Sequence, residues 1–151
     1  MPQIEYETAG AEAIDLIAPM WEQLNAYQAV CCKDFGDAFK GRTIDSRKKR
    51  WIASGVNGLR VRLVKSDGVL VGYCLSFIDD GMNGTLESLF VDDSMRGKGI
   101  GLALAKDSLD WFASKGTKTE NLEVTAGNDN ARAFYDKLGF RPFKTTMRLK
   151  K

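Results

Sequence analysis

The stretch MRGKGIGLALAKDSLDWFA, residues Met95–Ala113, places a glycine-rich loop directly before a helical pattern. Three glycines and two cations share Arg96–Gly101, and apolar residues then recur at helical spacing from Leu102 onward. The first amides of a helix have no internal acceptor, and the peptide dipoles place about half a positive charge at that end. Glycines let an anion reach those amides without meeting a β-carbon. The loop therefore predicts a phosphate site at a helix start.

Two well-known phosphate loops have different patterns. Walker A requires G-x-x-x-x-G-K-[ST], and the dinucleotide fingerprint G-x-G-x-x-G would need a glycine where Leu102 stands. The sequence thus disfavours nucleotide hydrolysis and hydride transfer. On the loop alone, a flexible surface turn that caps a structural helix remains the alternative.

The segments around the loop predict a sheet with a crossover connection. The apolar run TLESLFV ends at Val91, and the run NLEVT, residues 121–125, follows the helix, so these two strands should be parallel. The loop then lies at the carboxyl end of a strand, where open α/β sheets bind ligands.

The whole chain is predicted to form a mixed sheet covered by helices on both faces. Pro19 should kink the first helix or mark a fresh start, and Thr43 is a plausible cap for the second. The predicted elements are a strand at Ile4–Thr8, helices from Ile14 and Asp45, a hairpin over Leu59–Ile78, the strand TLESLFV, a helix from Leu102, the strand NLEVT, a helix from about Asn128 to Leu138, and a last strand after Gly139.

Composition limits the chemistry. The 151 residues suit one domain, residues 1–151, and the net charge of +2 gives no field that favours nucleic acid or a membrane surface. There is no histidine, which excludes Ser-His-Asp and Cys-His catalysis and removes the commonest metal ligand; we expect no metal site. The three cysteines are expected to be reduced thiols, and no membrane span or secretory signal is visible, so we expect a cytoplasmic protein.

A second motif lies downstream in NDNARAFYDKLGF, Asn128–Phe140. Together with RGKGIG it resembles the GCN5-related N-acetyltransferases (GNAT), whose patterns are [RQ]-x-x-G-x-[GA] and N-x-x-A-x-x-[FL]-Y-x-x-x-G-F. The residues that match are Arg96, Gly99 and Gly101 in the first pattern, and Asn128, Ala131, Phe134, Tyr135, Gly139 and Phe140 in the second.

This resemblance implies an α/β fold with a mixed, mostly antiparallel sheet of six to seven strands and helices on both faces. It implies acetyl-CoA as cosubstrate, with the pyrophosphate on the loop amides and the strand before the loop splayed from its parallel neighbour. Val91 would then lie against pantetheine, and the Leu89 amide against the thioester oxygen as an oxyanion donor. The implied donor-binding residues are Leu89, Phe90, Val91, Arg96, Gly97, Lys98, Gly99, Ile100, Gly101, Leu102, Asn128, Ala131 and Tyr135.

Tyr135 stands where the family places its general acid. A tyrosine is protonated at neutral pH and can give its proton to a leaving thiolate; the alternative is a tyrosine packed in the core beside Phe134. Asn128 would bond pantetheine or the open strand edge, or act only as a helix cap.

An alkylammonium acceptor must lose a proton before it attacks, and without histidine the carboxylates are the first candidates. Glu87 lies in the otherwise apolar TLESLFV, and strict alternation places it on the side of Leu89 and Val91. Some family members carry an acid at this position and are thought to use it through water. Glu87 is therefore the candidate base or ammonium-binding group; the alternative is a structural salt bridge with Arg60 or Arg62.

No sequence pattern identifies the residues that would bind the acceptor, so the class of amine stays open. The candidates are a polyamine-like or other small amine, an aminoglycoside, an amino acid, and a protein N-terminus or lysine. Asp79 and Asp80 could favour a cationic acceptor, but the preferred interpretation is that they are solvated turn residues. A non-catalytic acyl-CoA sensor would keep the loop without needing Tyr135 or Glu87. A nucleic-acid role for RKKRW, from Arg47, is disfavoured by the balanced charge. Dimers are common in the family, so a homodimer stays open.

Overall fold

The computed structural model describes residues 1–151, which form five strands and five helices. No helix combines the length and apolar character that a bilayer crossing requires. The strands are β1 (Ile4–Ala9), β2 (Leu59–Ser66), β3 (Val69–Ile78), β4 (Asn83–Val91) and β5 (Thr119–Asn121), and the helices are α1 (Ile14–Cys31), α2 (Asp37–Lys40), α3 (Ile44–Ser54), α4 (Ile100–Lys115) and α5 (Asp129–Lys137).

The strands form one mixed sheet in the order β1-β2-β3-β4-β5. Every neighbouring pair is antiparallel except β4 and β5, which are parallel and joined through α4. The predicted hairpin and crossover are therefore confirmed, and so is the mixed, mostly antiparallel sheet.

The sheet has five strands, fewer than the six or seven expected. The predicted strand NLEVT is replaced by the shorter β5, and no strand follows Gly139. Beyond Asn121 the chain no longer pairs with β4, so a final segment finds no ladder of hydrogen bonds to extend. The end of the chain accordingly leaves its apolar side chains exposed: Phe143, Met147 and Leu149.

The first helices follow the sequence pattern with one difference. The α1 helix continues through Pro19 instead of restarting there, and its buried residues on both sides of the proline, Ile17 and Trp21 among them, pack on the sheet. The predicted cap of α3 is confirmed, because the Ser46 amide donates to Thr43 Oγ1 at 3.2 Å.

Helices cover both faces of the sheet, as predicted, and each face has its own apolar cluster. On one face Ile14, Ile17 and Trp21 of α1 and Trp51 of α3 pack on the sheet. On the other, Ile100, Leu104 and Ala105 of α4 pack on Val64, Cys74 and Leu86. Burial of each large apolar side chain contributes about 1.5–3 kcal/mol, so the two clusters fix β4 from both sides.

A β-bulge at Glu87 interrupts the alternation of β4. The register runs from Leu75 opposite Ser88 to Ser76 opposite Leu86, which leaves Glu87 as the extra residue. Glu87 and Ser88 consequently both open toward α1 and α3, whereas Leu89 packs against the α4 cluster. The expectation that Glu87 shares a side with Leu89 and Val91 is therefore wrong, because strict alternation does not survive a bulge.

Candidate active site

The glycine loop is shaped to present its amides outward. Gly97 and Gly99 have φ of +76° and +80°, a region that other residues enter only at a cost, and α4 begins directly afterwards. The amides of residues 97–102 donate no hydrogen bond within the chain; the first that does is Ala103, to Gly99 O at 3.0 Å. Six consecutive donors at the positive end of a helix are thus free to bind an anion.

The two cations of the loop differ in their contacts. Arg96 Nε donates to Val91 O at 3.0 Å, and its guanidinium pairs with Asp93, so this side chain fastens the loop to the end of β4. Lys98 contacts only Met95 Sδ, at 4.0 Å. Their predicted part in holding phosphate stays a prediction.

The edge of β4 is open beside the loop. The β4–β5 ladder covers only Asn83 to Thr85 on β4, after which the strands separate. The Asp92 amide donates to Val71 O of β3 at 2.8 Å, and because backbone groups alternate along a strand, those of Leu89 and Val91 point to the opposite side. Arg96 occupies the Val91 carbonyl there, so the unpaired groups are the amide and carbonyl of Leu89 and the amide of Val91. The splayed edge that the resemblance implies is present.

A largely apolar groove of about 480 Å³ runs along this edge and over the loop. It brings together every predicted donor-binding residue except Lys98, which does not line it. The lining residues from the prediction are Leu89, Phe90, Val91, Arg96, Gly97, Gly99, Ile100, Gly101, Leu102, Asn128, Ala131 and Tyr135.

Tyr135 lies at the groove and also packs against aromatic neighbours. Its ring makes edge-to-face contacts with Phe134 at 5.0 Å and Phe140 at 5.9 Å between centroids. Its hydroxyl has no hydrogen-bond partner within the chain, and burial raises the pKa of Tyr135 well above the ordinary tyrosine value. Tyr135 therefore both packs against aromatic neighbours and lines the groove. Its hydroxyl stays protonated at neutral pH.

Asn128 caps α5. Its Oδ1 accepts a hydrogen bond from the Ala131 amide at 3.2 Å, which is the capping alternative of the sequence interpretation. The same side chain is buried and lines the groove, so its Nδ2 group remains available there.

A second cavity, of about 220 Å³, lies on the α1 and α3 side of β4. Glu87 and Ser88 form part of its wall, and Ser88 Oγ is held at 2.7 Å from the Tyr73 hydroxyl. Side chains from α1, α3 and the loops around them complete the wall: Trp21, Leu24, Asn25, Gln28, Phe39, Arg42, Arg47, Arg50, Trp51, Glu123, Val124 and Thr125.

Burial raises the pKa of Glu87 above the ordinary glutamate value. Among the neighbouring charges, Arg50 and Arg47 lower this pKa and Glu123 raises it, while the Trp51 indole also lowers it. The carboxyl group is thus a stronger base than an exposed glutamate, and it faces a cavity large enough for a small molecule.

The predicted alternative for Glu87, a salt bridge with Arg60 or Arg62, is wrong. Both arginines lie on the other face of the sheet and pair with Asp107 of α4: Arg60 Nη2 at 2.8 Å and Arg62 Nε at 3.4 Å from Asp107 Oδ2. The bulge places Glu87 away from them. Asp79 lines neither cavity; its Oδ1 accepts from the Asn83 amide at 2.9 Å and closes its own turn.

The sequence interpretation missed the arginines of the second cavity. RKKRW was considered as a solvated helix face or a nucleic-acid patch, although Arg47, Arg50 and Trp51 lie three and four residues apart and therefore share one face of α3. That spacing was a readable signal. Lys48 points elsewhere and pairs with Asp15 at 3.1 Å.

Comparison with known proteins finds similar N-acetyltransferases. An uncharacterized N-acetyltransferase of Methanocaldococcus jannaschii is 40% identical over 79 residues, which are 52% of this chain and 50% of that protein. Glucosamine 6-phosphate N-acetyltransferase of Trypanosoma brucei brucei is 39% identical over 66 residues, 44% of this chain and 43% of that protein. The match thus spans half or less of the length of each of these curated relatives.

The fold has close solved counterparts. The aminoglycoside N-acetyltransferase AAC(6')-Iy, solved in complex with CoA, superposes with a TM-score of 0.70 at 17% identity, over 100% of this chain and 96% of that one. At this identity the likeness concerns the fold. A family model described as the acetyltransferase (GNAT) family matches residues 21–140, most of the sequence. The chain belongs to the GNAT acetyltransferase family.

Proposed function

We propose that the protein transfers the acetyl group of acetyl-CoA to the primary amine of a small molecule by direct attack on the thioester. One observation carries the proposal: the open edge at Leu89 and Val91 lines the groove, while Glu87, two residues earlier, lines the second cavity. A donor in the groove and an amine in the cavity would meet at β4.

The loop and the strand edge would hold the donor. The free amides of residues 97–102 suit its diphosphate. The unpaired amide and carbonyl of Leu89 and the unpaired amide of Val91 suit the amide-bearing pantetheine arm, which would pair as an added strand. The apolar groove between them would exclude water from the thioester.

The transfer step needs a base, an oxyanion donor and an acid. Glu87 takes one proton from the acceptor ammonium, directly or through water, and the freed nitrogen lone pair attacks the carbonyl carbon. The Leu89 amide donates to the oxygen as its charge develops. The C–S bond then breaks, Tyr135 protonates the leaving sulfur, and the amide product loses its remaining extra proton to solvent.

The thiol opposite Leu89 in the sheet is unsuited to carry an acyl group, which favours direct attack over an acyl-enzyme on that cysteine. Cys74 lies opposite Leu89 in the sheet register but is buried on the α4 side, with Sγ 3.2 Å from Ser108 Oγ. Burial raises the pKa of Cys74 to about 11, so it carries almost no thiolate at neutral pH.

A thiol-release assay with acetyl-CoA tests the proposal. The acceptors are a panel of small primary amines, with a peptide lysine and a peptide N-terminus as protein-like arms. We expect release that depends on a small amine, with the acetylated amine found by mass spectrometry. Coenzyme binding without release for any amine would indicate a non-catalytic acyl-CoA binder, and release with the peptides alone would indicate a protein acceptor.

A further inference from the structure

Three arginines converge on the second cavity without a partner. Arg42, Arg47 and Arg50 all line it, yet none of their guanidinium groups makes an ion pair or a hydrogen bond within the chain. Four of the other six arginines of the chain do form ion pairs: Arg60, Arg62, Arg96 and Arg141. Positive charge is therefore concentrated here and left for a ligand.

Packing holds one of the arginines, and helix geometry brings the other two together. The Arg42 guanidinium stacks over the Phe39 ring at 4.1 Å, and the Phe39 carbonyl accepts a hydrogen bond from Asn25 Nδ2 at 2.8 Å, which ties the short α2 helix to α1. Arg47 and Arg50 are one helical turn apart on α3. Three guanidinium groups that line one cavity match the oxygens of a carboxylate or a phosphate.

The positive charges of Arg42, Arg47 and Arg50 repel one another. Burial lowers the pKa of Arg42, and the neighbouring charges of Arg47 and Arg50 lower it further. Burial and Arg50 lower the pKa of Arg47 in the same way. Glu87 and Glu123 offset this in part, but neither is close enough to form an ion pair with them. An anion in the cavity would relieve the repulsion.

The same wall holds a buried donor, the indole of Trp51, which is 1% exposed. This indole lowers the pKa of Glu87, so it favours the ionised form of the carboxyl group that the amine would meet.

We propose that the acceptor amine also carries an anionic group, a carboxylate or a phosphate, which Arg42, Arg47 and Arg50 bind while the amine lies at Glu87. This inference rests on the proposed acetyl transfer and narrows its acceptor. A polycation such as a polyamine would instead meet three arginines, so it is disfavoured as a substrate despite the two glutamates. Arg42, Arg47 and Arg50 are thus specificity-determining residues.

Matched acceptor pairs test the charge requirement. Each pair differs only in the anion: ω-amino carboxylates of increasing chain length against their primary amides, and O-phosphoethanolamine against ethanolamine, with spermidine as the cationic arm. We expect kcat/KM to be higher for the anionic member by about 10²-fold, the effect of a well-paired charge in a desolvated site. The ratio of kcat/KM between the anionic and the neutral member is compared for the carboxylate pairs and for the phosphate pair. The larger ratio identifies which anion the site prefers.

Substitutions of the arginines test whether they cause the preference for anionic acceptors. Arg47→Gln and Arg50→Gln should raise KM for the anionic acceptor by about 10-fold or more while leaving KM for its neutral partner and for acetyl-CoA unchanged. Lys48→Gln is the matched control, because Lys48 lies on the same helix but pairs with Asp15 outside the cavity. Equal loss in the control would assign the effect to net charge and overturn the inference.

The two proposals fail differently. Turnover of the neutral amides as fast as of the anions, or preference for spermidine, would overturn the anion site and leave acetyl transfer intact. Absence of turnover with every amine would overturn the proposed function. In that case a binding measurement tests the anion site separately. With CoA saturating the loop, calorimetric titration of inorganic phosphate or succinate should give heat for the wild-type chain and none for Arg47→Gln. Absence of heat for the wild type would overturn the anion site.

Discussion

Glu87 and Leu89 are two residues apart on one strand, yet they line two different cavities. In a regular strand residues i and i+2 share a face, so the β-bulge at Glu87 separates them. In the proposed function, one strand thereby meets both the donor and the acceptor. The proposed roles of the residues around the two cavities can each be tested by substitution.

Replacing Glu87 by Gln should remove the base and keep the shape of the cavity. A base works only when deprotonated, and since burial raises the pKa of Glu87, wild-type kcat/KM should fall as pH drops through a value above that of an ordinary glutamate. In Glu87→Gln we expect a rate loss of about 10²-fold or more and no such acidic limb. Glu123→Gln, which changes an exposed acid of the same cavity, should retain the limb. An unchanged limb in Glu87→Gln would exclude the role.

Replacing Tyr135 by Phe should slow chemistry without weakening the fold. We expect kcat to fall about 10²-fold with KM for acetyl-CoA unchanged. Because the hydroxyl has no partner in the chain, the free energy of unfolding should change by no more than about 0.5 kcal/mol. Tyr73→Phe is the converse control: it removes the buried bond to Ser88, so it should cost about 1–3 kcal/mol in denaturant titration. Full activity of Tyr135→Phe would refute the acid role.

Replacing Gly99 by Ala should disturb the loop. The position needs φ of +80°, which costs a non-glycine residue about 1 kcal/mol, and relief of that strain would turn the amides away from the donor. We expect KM for acetyl-CoA to rise about 10-fold, the effect of about 1.4 kcal/mol of lost binding. Gly116→Ala carries similar strain, at φ of +70°, at the far end of the same helix, and should reduce stability alone. Equal KM values in the two variants would contradict a loop that binds through its amides.

Replacing Asp107 by Asn should destabilise the chain without affecting catalysis. Asp107 is the partner of Arg60 and Arg62, whose side chains are largely buried, so its loss leaves two guanidinium groups uncompensated. We expect the free energy of unfolding to fall by about 1–3 kcal/mol, between the values for surface and buried pairs. Asp110→Asn, at an exposed neighbour without an ion pair, is the control. A large loss of kcat in folded Asp107→Asn would link this ion-pair cluster to the active site and contradict a purely structural role.

The strand before the glycine loop, the loop itself and the helix after it could be predicted from the sequence because their signals are local. A glycine loop, its helix and the preceding strand are contiguous from Thr85 to Lys115, so short-range rules of helix starts and crossover connections suffice. Asn128 and Tyr135 follow on one short helix. The edge of β4 is open because β5 ends early. That early end could not be predicted from the sequence NLEVT.

The second cavity as a whole could not be predicted because its wall combines distant segments. These segments are residues 21–28, 39–51, 87–88 and 123–125, and which of them meet depends on how α1 and α3 pack on the sheet. The bulge at Glu87 has no local signature of glycine or proline, so an alternating strand was the natural expectation. One inserted residue places the carboxylate on the other face of the sheet, away from Arg60 and Arg62. There it lines a cavity with the arginines of α3 but forms no ion pair with them.

Calorimetric titration of CoA tests most directly whether the free amides of residues 97–102 bind the donor. We predict one-site binding for CoA, weaker binding for 4'-phosphopantetheine, and a further loss of about 10-fold or more for pantetheine, which has no phosphate to place on the loop. No heat with CoA, or equal affinities for pantetheine and 4'-phosphopantetheine, would contradict a donor held by its phosphates on these amides.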